Sequence, residues 1–387
     1  MKALILSCGT GGGHNDAGRG IAEGLTERGH EAVFLNQYLG LAGKQVDQLI
    51  CSIYMNTITR HPHAFPVVYG IGRGVSSALH PLHIQSPIYF ANSRKLADIL
   101  GSLIYREQFD VVLMPHLYPA ETMTALKRRG FLLPPTIAVA TDHTSIPFWE
   151  ETDCDWYVTA DEGTSRDFVR RGVPEEKLLP FGIPAPLGFC PPENREALRA
   201  ELGFSPDKRY ILLMSGSMGA GDIEGFIRSL RAQMDENTCL LAVCGKNEQL
   251  RERLTLLYHN DKQVTVFGYM TETARYMQAC DLLFTKPGGL STTEAALCRI
   301  PTVLLPGISQ CEEANRQFFL KNRIACQGKD DAQRISRGLK LLEPVPAAAM
   351  RRRQQEVFPD KPARAIAAFA ERTVMENDGA VNAHDFL

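Results

Sequence analysis

The sequence predicts an α/β protein built from two Rossmann-like domains, and three observations predict it. Short apolar runs alternate with amphipathic helical stretches along the chain. Both halves share one plan, a buried strand running into a glycine-rich turn that starts a helix. Between the halves, residues 183–194 read IPAPLGFCPPEN, with four prolines and one glycine, the composition of a linker. The expected partition is a first domain over 1–182, a second over 195–372 and a frayed tail over 373–387. A length of 387 residues suits that division, being too long for one ordinary core.

In the first half, Lys2 to Ser7 is a strand whose continuous run Ala3-Leu4-Ile5-Leu6 marks burial on both faces. The turn Cys8-Gly9-Thr10-Gly11-Gly12-Gly13-His14 leads into a helix over 15–28, with Ile21, Ala22 and Leu25 on its apolar side. Glycines let backbone N–H groups approach a ligand, and a helix N-terminus favours negative charge. His14 stands where loop becomes helix, and an imidazole there has an ordinary pKa suited to moving a proton near neutral pH. A histidine that only caps the helix start is the alternative. Ala32 to Leu35 is the second strand, and 47–59 has helical spacing.

Residues 60–94 break the pattern, being rich in proline, histidine and aromatic residues. The window 43–106 carries Lys44, Arg60, Arg73, Arg94, Lys95 and Arg106 against Asp47 and Asp98, an excess of +4. Two readings stand for it: an irregular excursion packed on the domain, or a basic, aromatic surface resting on anionic lipid. Strands then follow at 110–114, ending in Pro115-His116, and at 136–140, ending in Thr141-Asp142-His143-Thr144. Further strands fall at 156–159 and 178–181, with helices over 120–129 and 162–171. Polar residues at strand C-termini fall where open parallel sheets bind ligands.

The second half begins with a helix over 195–202 and a strand over 210–214 that ends in the turn Ser215-Gly216-Ser217-Met218-Gly219-Ala220-Gly221. Strands at 239–244 and 264–267 end in Gly245-Lys246-Asn247 and Gly268-Tyr269-Met270. The strand 282–285 ends in Lys286-Pro287-Gly288-Gly289-Leu290-Ser291, before a helix over 292–298 and a strand over 302–305. The last helix is expected over 362–372.

Composition removes several classes. A 44% hydrophobic and 22% charged chain is a soluble globular one, and a net charge of −2 argues against a general nucleic-acid binder. The ten cysteines show neither CxxC nor zinc-finger spacing and read as reduced cytosolic thiols. The first residues do not form a signal peptide, and no run approaches a membrane span, so any membrane contact is expected to be peripheral.

Three glycine-loop chemistries compete. A P-loop requires GK[ST], which neither loop has, and the dinucleotide fingerprint lacks its third glycine and the acidic residue after the second strand. A nucleotide-sugar site remains. In the second half, backbone N–H groups at the 288–292 turn, with the Ser291 and Thr292 hydroxyls, can neutralise a diphosphate without metal. Glu294 fits a capping box from Ser291, or a carboxylate accepting both ribose hydroxyls.

TGGGH, TKPGGLSTTEA and the stretch VATDHTSIPFWEETDCDWYVTADE together resemble the monogalactosyldiacylglycerol synthases and processive diacylglycerol glucosyltransferases. These are GT-B enzymes, glycosyltransferase family 28-like, with two Rossmann-like domains facing each other across a cleft. The resemblance runs from residue 3 to about residue 325. It implies an inverting, metal-independent transfer of a hexose from a UDP-sugar to a lipid hydroxyl, with diacylglycerol the expected acceptor. It further implies a peripheral enzyme at the inner face of the cell membrane, with no cofactor beyond the donor.

By this resemblance His14 is the base, with Asp142 orienting or charge-stabilising it or else serving as a cap. Gly12 and Gly13 lie near the donor phosphates, Ser217, Met218 and Gly219 approach the diphosphate, and Gly268, Tyr269 and Met270 meet the uracil edge. Lys286, Gly288, Gly289, Leu290 and Ser291 belong to the donor site, and Glu294 holds the ribose. Glu312, Glu313 and Asn315 match the stretch that holds sugar hydroxyls. Cys311 stands where the family tends to have glutamine, which leaves the donor sugar open. His143 and Trp149 lie near the lipid entrance, and Arg60, Arg73, Arg94 and Lys95 belong to the membrane-facing part. Two other classes remain: an isomerase of the UDP-N-acetylglucosamine 2-epimerase type, and a non-catalytic UDP-sugar sensor. The oligomeric state is left open.

Overall fold

The structure, a computed structural model, describes residues 1–9, 12–48, 74–75, 85–216, 222–307 and 309–384, with the backbone alone at 378–384. Two units divide the chain: Met1–Leu187 with Ile308–Cys311 and Asp360–Leu387, and Gly188–Gly307 with Glu312–Pro359.

The first unit holds six parallel strands: β1 (Lys2–Ser7), β2 (Glu31–Asn36), β3 (Val111–Met114), β4 (Thr136–Val139), β5 (Trp156–Val158) and β6 (Leu178–Leu179). Their order across the sheet is β2-β1-β3-β4-β5-β6. β1 pairs β2 from Lys2 opposite Glu31 to Ser7 opposite Asn36, and pairs β3 from Ala3 opposite Val111 to Ile5 opposite Leu113. Side chains alternate along a strand, so the apolar runs serve two cores. Leu4, Leu6, Val112, Met114 and Ala138 join Leu100, Met123, Leu126, Trp149 and Phe168 on one face. Ala3, Ile5, Val111, Leu113, Ile137 and Val139 meet Ile21 and Leu25 on the other.

That second face is closed by the last helix, Pro362–His384, through Ile366, Ala367 and Ala370. The outcome differs from the expected partition, which placed 362–372 in the second domain and a frayed tail at 373–387. The apolar spacing 366, 367, 370, 374 continues past 372 and packs against helix Gly12–Glu27. Gly24 permits the approach: a Cβ there would fall 2.7 Å from the Ala363 carbonyl oxygen.

The second unit carries β7 (Arg209–Met214), β8 (Thr238–Val243), β9 (Val264–Phe267), β10 (Leu282–Thr285), β11 (Thr302–Leu304) and β12 (Cys326–Gln327) in the order β12-β11-β10-β7-β8-β9, all parallel. This is the Rossmann order, with its reversal between β7 and β10. Its core gathers Ile211, Leu213, Leu240, Leu282, Phe284 and Val303 with Phe226, Ile227 and Ile335. Both units are therefore doubly wound sheets of the kind the sequence predicts.

Glu121, on helix Leu117–Arg128, is fully buried, and burial, then the neighbouring Glu151, pushes its carboxyl well above the usual range. Glu151 in turn accepts the Ser86 amide at 2.8 Å and its hydroxyl, anchoring helix Pro87–Asn92. A carboxyl whose folded pKa is raised contributes stability that is full below its unfolded pKa and lost as pH rises through the folded value. Glu121→Gln is expected to leave stability unchanged below about pH 4 and to raise the melting temperature progressively as pH climbs above that. Calorimetry across that range checks it, and a pH-independent difference between the two proteins is the contrary outcome.

Candidate active site

In an open parallel sheet, the loops leaving two neighbouring strands part where the strand order reverses, and ligands bind in that crevice. In the first unit the reversal lies between β1 and β3. The loop after β1 delivers His14 on the first turn of helix Gly12–Glu27, and the end of β3 delivers Pro115-His116. Ser7 Oγ donates to Asn15 Oδ1 at 2.8 Å, fastening that helix start to β1.

His14 is half-buried, and its Nδ1 lies 2.9 Å from the Pro115 carbonyl oxygen and 3.1 Å from Thr141 Oγ1. A carbonyl only accepts, so Nδ1 carries the proton and Nε2 is the bare, basic nitrogen. These bonds run to the ends of neighbouring strands, which sets aside the reading of His14 as a cap on its own helix. Burial lowers its pKa from the ordinary 6.5 to about 4, against the opposing pull of the Pro115 carbonyl. The group is thus neutral well below neutral pH rather than poised near it, as its residue type suggested.

His116 was not singled out from the sequence as a functional residue. Its ring packs 4.4 Å from that of His14 at an interplanar angle of 78°, and 4.6 Å from Tyr118. Its position after a strand was visible, but which strand neighbours β1 was not.

Other expected residues of this unit have different surroundings. Asp142 is half-buried and follows Thr141, the residue whose hydroxyl meets His14. The His143 side chain is buried, with Nδ1 2.6 Å from Asp161 Oδ2. Burial lowers its pKa against the pull of Asp161. Asp161 also caps helix Glu162–Arg170 by accepting from the Thr164 amide at 3.0 Å. Thus His143 ties the loop after β4 to the one after β5. Trp149 is 3% exposed and packs against Tyr157 and Phe168. It is a core residue, because its indole fills the space beside Phe168, and it presents no surface to a lipid. Arg94 and Lys95 are exposed at the start of helix Lys95–Glu107. Arg60 and Arg73 lie outside the described residues, as do Ser217, Met218 and Gly219. Gly12 is exposed and Gly13 half-buried at the helix start.

In the second unit the reversal lies between β7 and β10, which end in Ser215-Gly216 and Lys286-Pro287-Gly288. Gly216 has φ +71°, and a Cβ on it would meet Lys286 Cε at 3.6 Å, so the Lys286 chain runs past the β7 turn. Lys286 Nζ lies 3.7 Å from Glu312 Oε1, with both side chains less than a fifth exposed. Helix Gly289–Leu297 starts from Gly288, whose missing side chain supplies no cap. First-turn N–H groups at Gly289, Leu290 and Ser291 therefore present partial positive charge beside Lys286, an anion-binding arrangement. With Gly288 as the cap, Glu294 lies one and a half turns into the helix, about 9 Å along its axis, and the capping-box reading is removed. Glu294 is buried there.

Three details correct the expectation for this unit. The Thr292 hydroxyl donates to the Gly288 carbonyl at 2.7 Å, as Thr293 does to Gly289, so the Thr292 proton is spent inside the helix. Glu313 is outward-facing and paired with Arg316 one turn on, at 2.7 Å. Helical geometry points it about 100° away from Glu312. Asn315 is fully buried, its Nδ2 donating to the Pro287 carbonyl at 3.1 Å, so it braces the loop after β10. Gly268, Tyr269 and Met270 follow β9, with Tyr269 56% exposed and Lys246 Nζ 5.4 Å above its ring. Among the described residues no group of three His, Cys, Asp or Glu side chains is placed to hold a metal ion, and no helix is long and apolar enough to cross a membrane.

Comparisons with known proteins accord with this architecture. Residues 14–185 match the family model for monogalactosyldiacylglycerol synthase, and residues 194–356 the model for glycosyl transferases group 1. Among solved structures, MurG of Acinetobacter baumannii superimposes with a TM-score of 0.62 at 14% identity, covering 96% of this chain and 99% of its own. UDP-GlcNAc 2-epimerase of Neisseria meningitidis, solved bound to UDP-GlcNAc, gives 0.58 at 12% identity, covering 97% and 100%. The two matched models, each a glycosyltransferase family, cover successive parts of the chain, and the solved neighbours share its fold of two doubly wound sheets. Among glycosyltransferases the chain is similar to the monogalactosyldiacylglycerol synthases and processive diacylglycerol glucosyltransferases. The processive diacylglycerol beta-glucosyltransferase of Bacillus cytotoxicus is 25% identical over 344 residues, 88% of this chain and 86% of its own. That of Bacillus cereus strain B4264 is 25% identical over 365 residues, 94% and 91%.

A depressed histidine pKa is measurable without any substrate. Side-chain nitrogen NMR is expected to show His14 as the Nδ1–H tautomer at neutral pH, gaining its second proton only as pH falls to about 4. Titration near the ordinary value of 6.5 would mean that water reaches the ring.

Proposed function

We propose that this enzyme transfers a hexose from a UDP-sugar to the hydroxyl of a diacylglycerol-type lipid, with inversion at the anomeric carbon. The observation that carries the reading is His14, a neutral imidazole with Nδ1 tied to the Pro115 carbonyl and Nε2 left basic. Nε2 removes the acceptor hydroxyl's proton as the oxygen attacks the anomeric carbon from the face opposite the diphosphate. The C–O bond to the diphosphate breaks and its electron pair leaves with UDP. The first-turn N–H groups of helix Gly289–Leu297 and the Lys286 ammonium meet the charge that develops there. This stabilisation requires no metal ion, and no cofactor beyond the donor is called on. Glu294 is assigned to the ribose and the Gly268–Met270 loop to the uracil.

The lipid acceptor is supported by the names of the relatives, which are diacylglycerol glucosyltransferases. Lipid access places the protein peripherally at a membrane surface, and we assign it the cytoplasmic face, where UDP-sugars are available. Cys311 and Glu312 at the start of helix Gln310–Lys321 leave glucose, galactose and N-acetylglucosamine as candidate donors.

The test is UDP release from each donor, with and without diacylglycerol in mixed micelles, alongside lipid extraction to find the glycosylated product. Lipid-dependent release is expected. Lipid-independent conversion of the nucleotide sugar would instead assign an isomerase, and tight UDP binding without turnover a sensor. His14→Ala is expected to lower kcat roughly 10²–10⁴-fold with UDP binding intact, and Lys286→Ala to weaken UDP binding.

A further inference from the structure

We propose that His116 is a positioning residue for His14, holding the imidazole with Nδ1 on the Pro115 carbonyl and keeping the proton taken up at Nε2 on His14 alone. The inference rests on the reading of His14 as the base. One dipeptide at the end of β3 supplies both parts of the device: Pro115 gives the carbonyl, and His116 the ring that packs across His14 at 4.4 Å and 78°.

His116 is itself locked. It is the cap of helix Leu117–Arg128, and its Nδ1 accepts the Tyr118 amide at 3.0 Å. That bond needs the Nδ1 lone pair, so the neutral ring carries its proton on Nε2, and a second proton would cost the cap. The Tyr118 ring pins it from a second direction at 4.6 Å. Burial, then the adjacent His14, holds its pKa well below the ordinary range. A ring so fixed does not compete for the acceptor's proton. It presents the imidazolium that forms on His14 with a neutral aromatic neighbour instead of a second cation, and it keeps water off that flank.

Other titratable groups at these strand ends include Cys8 after β1, Tyr38 after β2, Tyr118 after β3, Asp142 and the Asp161-paired His143 after β4, and Asp16 with Arg19 on the His14 helix. Burial raises both tyrosines, so they too stay neutral. Burial likewise raises Asp16, against its pairing with Arg19.

Two substitutions separate the ring from the cap. His116→Asn retains a good helix cap and removes the ring. We expect the His14 titration, followed by side-chain NMR, and the acid limb of the kcat profile both to move up by roughly one pH unit or more. We expect kcat to fall about tenfold, with KM for the UDP-sugar unchanged. His116→Phe keeps a ring and loses the acceptor, and is expected to return the acid limb toward the parent position. An unmoved His14 titration and acid limb in the folded His116→Asn protein overturn the proposal. If His14→Ala retained full activity, the base assignment would fail separately, and the NMR titration, which needs no turnover, would still decide whether His116 governs His14.

Discussion

Every strand of a parallel sheet ends on the same edge, and at one place in each sheet the strand order turns back on itself. The rest of this molecule's chemistry depends on that constraint. Neighbouring loops diverge at the reversal and leave a space that no backbone hydrogen bond fills. Between β1 and β3 the space receives His14, Pro115 and His116; between β7 and β10 it receives Gly216, Lys286 and the bare start of helix Gly289–Leu297. Two different kinds of group are thus gathered by one geometric rule, a basic nitrogen in the first unit and a cationic, amide-lined turn in the second.

The two sites use burial in opposite ways. Burial around His14 disfavours its charged form, which keeps Nε2 available until the reaction supplies a proton. Around Lys286 the same partial exclusion of water strengthens its attraction to Glu312, and would strengthen it equally for a phosphate. Glu312 therefore acts as the resident counter-ion of a cation whose proposed partner is larger and more negative.

Much of this was legible in the chain. Apolar runs of four to six residues placed β1 to β11 to within a residue or two, because in doubly wound sheets both strand faces are buried; the two-residue β12, which has no such run, was not expected. The glycine turns and His14 stood out because local spacing alone marks them. What stayed hidden depends on which distant segments meet. Whether Trp149 faces lipid or Phe168, whether Glu313 or Glu312 turns toward Lys286, and whether the last helix serves the first or the second unit are questions of packing, on which residue type is silent. His116 is the clearest case. Its partner, His14, lies 102 positions away, and only the adjacency of β1 and β3 joins them.

The return of helix Pro362–His384 to the first unit has a consequence for how the protein comes into being. The face of the first sheet formed by Ala3, Ile5, Val111, Leu113 and Val139 is covered in part by Ile366, Ala367 and Ala370. On the ribosome those residues emerge only after 188–359 have been made, which at about 5–20 residues per second takes on the order of ten seconds or more. For that interval the first unit carries an uncovered apolar flank while the second is still being made. Truncation anywhere before 366 would therefore uncover an apolar face of the first unit, a defect at the beginning of the protein rather than at its end.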